Sequence, residues 1–189
     1  MQSNPDIEVM WRAFELRPEP VPTLDPKGDY LQRAWSTSVY PLAERLGMKM
    51  KLPPLQPRSR LAHEAAHWAL TQGRFDDYHA AIFRAFFERG EDIGDIWVLT
   101  SLAADLGLDA DSLRAALEKH EFEKSVLQDE QEAARIGVSG VPAFVADRTA
   151  AASGVQSVES LQKLIQHVRL PELALVDDGE RINGERGTG

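Results

Sequence analysis

Two short stretches of this chain carry groups with evident chemical capacity. The first is Gly137-Val138-Ser139-Gly140-Val141-Pro142-Ala143-Phe144-Val145. Proline has no amide hydrogen, so it belongs at the first residue or the edge of a strand. An X-Pro bond is also the ordinary place where a cis peptide costs little. Gly140, Val141 and Pro142 are therefore expected to open a strand with a cis Val141–Pro142 bond and to leave bare backbone for a ligand. The second stretch, His63-Glu64-Ala65-Ala66-His67, spells H-E-x-x-H. Histidines four apart share one helix face and can chelate zinc, with the intervening glutamate as general base. Glu88 or Glu91 would have to supply a third ligand. Five-residue patterns of common amino acids recur by chance, and the competing reading is a surface helix with two solvent-facing histidines.

The elements that must position these groups can be read from periodicity. Ile7, Val9, Trp11 and Ala13 alternate with Glu8 and Arg12, which predicts a strand over 7–16, with Trp11 and Phe14 in the core. Four prolines make 17–26 a loop. Helices are expected near 27–35 and 41–46, the second closed by Gly47, with a brief extended piece over 48–52. Leu61, Ala65, Trp68 and Ala69 mark a helix that Gly73 ends. Tyr78, Ile82, Phe83, Phe86 and Phe87 form an apolar stripe on a helix over 75–89. Further helices are expected over 93–106, 113–119 (capped by Asp109 or Asp111) and 121–136, and the acidic residues of 117–132 read as a solvated face. A strand at Phe144–Ala146, a turn at Asp147-Arg148 and a second strand over 149–152 lead to a last amphipathic helix. Ser157 caps that helix, and Val158, Leu161, Leu164, Ile165 and Val168 line one face.

Composition narrows the function classes. The chain has 189 residues, 43% apolar and 27% charged, as in an ordinary soluble globular protein. A net charge of −9 without clustered Lys and Arg argues against nucleic acid as partner. No apolar run approaches the roughly 20 residues of a membrane span, and the N-terminus lacks a secretory signal, so a cytoplasmic protein is expected. There is no cysteine, which removes disulfides, thiolate ligands and thiol nucleophiles.

Several stretches, in order, resemble one family. Ile7 to Glu19, Arg60 to Ala69, Gln72 to His79, Ile82 to Ile93, Leu102 to Asp109 and the loop from Gly137 to Val145 are similar to DsbA-like thioredoxin-fold oxidoreductases of the FrnE type. The resemblance implies an α/β, thioredoxin-like fold of DsbA type. Residues 1–26 and 137–170 would be its thioredoxin-like part, 27–136 a helical insertion with return helix, and 171–189 a C-terminal tail, whose polar, glycine-rich end from about 177 reads as disordered on composition. It also implies thiol–disulfide exchange on a thiol- or disulfide-containing protein or peptide, without a cofactor, the substrate being held at Gly140, Val141 and Pro142. The family's Cys-x-x-Cys precedes the strand seen here at 7–16, so the resemblance makes this chain N-terminally incomplete and redox-inactive, with no catalytic residue of its own. Exposed sheet edges would then aggregate or pair two copies as a homodimer. Two rival readings share the fold. One is a glutathione-dependent isomerase or transferase of the kappa type, like 2-hydroxychromene-2-carboxylate isomerase. The other is a non-catalytic peptide-binding module.

Overall fold

A computed structural model describes residues 7–169, Arg169 for its backbone only. The described chain forms two compact units that divide after Ser139. The expected tail over 171–189 lies outside the described residues.

The first unit is helical. α1 (Asp29–Ala34), a π-helical turn (Trp35–Val39) and α2 (Tyr40–Arg45) run on as one continuous rod instead of the two separate helices expected. Pro41 has no N–H to give to a carbonyl one turn back, and the wider π turn ends two residues before it, at Val39. α3 (Arg60–Thr71), α4 (Phe75–Arg84) with a second π turn (Ala85–Arg89), α5 (Ile96–Asp105), α6 (Ala110–Glu118) and α7 (Glu123–Arg135) follow. α5 starts three residues later than the apolar pattern suggests, because Asp95 caps it by accepting from the Trp97 N–H at 2.8 Å. Asp109 caps α6 in the same way, through Ser112 N–H. Gly47, Gly73 and Gly107 stop their helices at φ near +70°.

The core lies among α3, α4, α5 and α6, where Ala65, Tyr78, Leu99, Leu113 and Leu117 are all buried. Tyr78 donates its hydroxyl to the Leu99 carbonyl at 2.8 Å, so its one polar atom is satisfied inside the core. The aromatic stripe on α4 divides: Tyr78 and Ile82 enter the core, while Phe83 is 48% exposed. Phe75, His79, Phe83 and Phe87 instead form a row of ring contacts along the helix.

The strand expected over 7–16 is not one. The segment has no regular secondary structure, and no strand pairs with it among the described residues. A strand persists only where a neighbour takes its backbone groups, and here side-chain carboxylates do so instead. Trp11, expected in the core, is 58% exposed. The piece over 48–52 likewise has no ladder.

The second unit holds β1 (Ala143–Ala146), β2 (Ala150–Ser153) and α8 (Val158–Arg169). The strands pair antiparallel, Phe144 opposite Ala152 and Ala146 opposite Ala150. Asp147 and Arg148 turn the hairpin with φ of 47° and 60°, a region asparagine and aspartate enter more readily than most residues. Ser157 caps α8 through the Ser160 N–H at 3.1 Å. Leu161, Leu164, Ile165 and Val168 are its half-buried positions, while Val158 is exposed.

Candidate functional site

Within the second unit, among the described residues, β1 has β2 on one side only. Gly154 N–H donates to the Pro142 carbonyl at 2.8 Å, which extends the hairpin register one pair beyond β1. Backbone groups alternate in direction along a strand. Pro142, Phe144 and Ala146 therefore address β2, and Ala143 and Val145 turn their N–H and C=O to the open edge. The missing amide hydrogen of Pro142 falls on the paired side. Gly140 and Val141 have no backbone hydrogen bond among the described residues of this unit. Val141 (49%) and Val145 (40%) expose their side chains beside this edge. The Val141–Pro142 peptide bond is cis. The result, among the described residues, is a strand edge with unpaired donors and acceptors, flanked by two apolar side chains. Such an edge can accept an added strand.

The first unit carries a polar cluster that sequence reasoning missed. Asp129 in α7, buried, accepts from the Ala13 N–H at 2.9 Å and from Arg12 Nη1 at 3.0 Å. Its Oδ2 also lies 3.1 Å from His67 Nε2. Glu130 accepts from the Glu15 N–H at 3.3 Å. Arg60 in α3 pairs with the buried Glu15 carboxylate, with Glu123 at 3.4 Å and with Glu130 at 3.7 Å. Burial first, then the neighbouring charge of Glu15, raises the Glu130 carboxyl above its ordinary range against the pull of Arg60. Burial pushes His63 down, while Glu15 and the Phe14 backbone act to raise it. The acidic stretch read as a solvated face thus turns Asp129 and Glu130 inward. Acidic residues are frequent on exposed helix faces, and nothing in their spacing marked these two.

The zinc reading is not supported. His67 is turned to Asp129, and burial disfavours the charged form of His63, so neither is the solvent-facing histidine of the competing reading. Glu64 is fully buried and reaches His120 Nδ1 at 3.0 Å, which takes it out of reach as a base for bound water. Glu91 is held by Arg89 at 2.6 and 3.1 Å. Among the described residues no three His, Asp or Glu side chains are arranged to hold a metal ion.

A profile of the DSBA-like thioredoxin domain matches residues 1–166. The chain belongs to that family. Its relatives include the uncharacterized protein YwbO of Bacillus subtilis (strain 168), 40% identical over 146 residues, 74% of this chain and 72% of that protein. Among solved structures, a probable DsbA oxidoreductase from Streptomyces coelicolor superposes with a TM-score of 0.68 at 26% identity, covering 88% of this chain and 78% of the other. The DsbA-like fold expected from the resemblance is thereby shown, in a form dominated by helices with a two-stranded sheet. Like other DsbA-like domains it is read through its site, since fold alone does not establish a reaction. No helix among the described residues is long and apolar enough to cross a membrane.

Proposed function

We propose that this DsbA-like chain performs the substrate-holding part of disulfide chemistry, binding a thiol- or disulfide-containing peptide in extended form along the open edge at Gly140, Val141 and Pro142. The observation that carries this reading is the unpaired edge of β1, where Ala143 and Val145 present backbone groups between exposed valines. Family membership supports it, since disulfide exchange needs the substrate backbone aligned while sulfur attacks sulfur. The chain itself has no cysteine and cannot supply the attacking thiolate. Within the family we assign it to the FrnE type, on the stretch Phe14-Glu15-Leu16-Arg17-Pro18.

The test is a titration of the 15N-labelled chain with a short extended peptide containing cysteine, in reduced and in disulfide form. Amide shifts should saturate and concentrate over 140–146. Val145→Pro removes one edge N–H while leaving the β1–β2 ladder intact, and should weaken binding about tenfold. Shifts elsewhere, or none, overturn the binding reading. The chain should not accelerate reduction of a peptide disulfide by dithiothreitol; turnover would overturn the redox-inert part. Glutathione, run in place of the peptide, separates the kappa-type reading.

A further inference from the structure

We propose that a cleft between the end of α4 and α5 is a binding site for a small aromatic monocarboxylate, the Trp97 indole stacking its ring and Arg84 holding its carboxylate. This site is independent of the β1 edge. The cleft encloses about 470 Å³, within the range of small-molecule sites. Its walls include Arg84, Arg89, Glu91, Trp97, Ser101 and Asp105.

Trp97 is 68% exposed, yet it is not a loose side chain. The Arg114 guanidinium carbon lies 3.9 Å from its ring centroid, and Arg114 is itself tethered to Thr100 Oγ1 at 3.3 Å. Asp95 holds the Trp97 backbone through the helix cap. Trp97 lines the cleft and Arg114 does not, so a guest would stack on the ring face opposite Arg114. A cation behind an indole polarises it toward an electron-rich, planar partner on the opposite face.

The charges select the rest of the ligand. Arg89 is committed to Glu91 through two hydrogen bonds, and Asp105 adds further negative charge beside it. Arg84 makes no hydrogen bond or ion pair among the described residues, although its guanidinium fork suits a carboxylate. With Glu91 and Asp105 also in the cleft wall, one uncommitted cation favours a single negative charge and disfavours a phosphate dianion. Ser101 gives its hydroxyl hydrogen to the Trp97 carbonyl at 2.8 Å and retains lone pairs for a guest's donor.

The experiment titrates the 15N-labelled full chain with phenylacetate and follows the Trp97 indole N–H, assigned by its disappearance in Trp97→Leu. A saturable shift is expected. It should weaken about tenfold in Arg84→Gln, in keeping with loss of one charge-assisted pair. Cyclohexylacetate and phenyl phosphate should bind less well than phenylacetate. No saturable shift at Trp97 overturns the site, and equal affinity for cyclohexylacetate overturns the stacking. Tighter binding of phenyl phosphate, or an unchanged Arg84→Gln, overturns the carboxylate assignment. Both substituted residues are exposed, and unchanged Tyr78 and Leu99 signals confirm an intact core.

Discussion

The backbone N–H of Ala13 donates to the Asp129 carboxylate at 2.9 Å, across 116 residues of sequence. Arg12 and His67 converge on the same carboxylate, which is only 5% exposed. Asp129→Ala would strand a buried N–H and remove two charged or polar partners at once. It should lower stability by about 2–4 kcal/mol in urea unfolding. Amide exchange at Ala13 should become fast in the variant. Asp129→Asn keeps one carbonyl acceptor and should cost less. Unchanged exchange at Ala13 in Asp129→Ala would show that other contacts hold the segment.

Stability should fall on mild acidification, and His63 should be one reason. Burial pushes its imidazole below the ordinary value of 6.5, with His79 and His67 adding to the effect and Glu15 and the Phe14 backbone opposing it. His79 is lowered too, by burial against the pull of Asp76. The unfolded chain then binds protons that the folded one resists, so the stability conferred by neutral histidine is lost as pH drops below about 6.5. Glu130 works in the opposite sense: its raised carboxyl keeps its proton to higher pH in the folded state, so its contribution declines as pH rises past the ordinary carboxylate range. The melting temperature should therefore decrease between about pH 7 and pH 5.5. His63→Gln should flatten that slope. An identical slope would assign the acid sensitivity elsewhere.

Helices were readable because their signals are local. Apolar spacing marks α3 and α4, Asp109 caps α6, and Gly73 and Gly107 at positive φ close α3 and α5. The hairpin was readable too, since Pro142 and Asp147-Arg148 bracket a short apolar run. Residues 7–16 show the limit. Alternation there describes an extended backbone, but pairing is a property of whatever lies alongside it, and the carboxylates of Asp129 and Glu130 are more than a hundred residues away. The surroundings of His67 were hidden for a related reason. Spacing puts His63 and His67 on a common face, whereas what His67 meets there, Asp129, depends on the docking of α7.

Gly90 ends the second π turn at φ +71°. A Cβ there would lie 2.8 Å from Pro54 Cδ, a ring atom that cannot swing aside as a flexible chain end could. Gly90→Ala thus combines left-handed strain with a clash and should cost about 1–3 kcal/mol. The loss should be read as a lower urea midpoint with unchanged slope. Gly107→Ala, which has the same φ and nothing within 4 Å, isolates the backbone part and should cost about 1 kcal/mol. Equal losses at the two positions would show that the Pro54 contact relaxes freely.

Glu64 is fully buried in α3, with Oε1 on His120 Nδ1 at 3.0 Å and, among the described residues, no hydrogen-bond partner for Oε2. His120 stands beyond the end of α6 with φ of 52°, a conformation uncommon for a residue with a side chain. The pair ties α3 to the corner before α7, and its value depends on both members being present. His120→Ala should destabilise by about 2–4 kcal/mol, because it takes from a buried carboxylate the His120 ring that pairs with it. Glu64→Met fills a similar volume without a polar head, so it should cost less than His120→Ala. The double variant should recover much of the loss from His120→Ala, giving a coupling of about 1–3 kcal/mol in a double-mutant cycle. Additive losses would mean that water or another group satisfies Glu64, and that His120 only shields it.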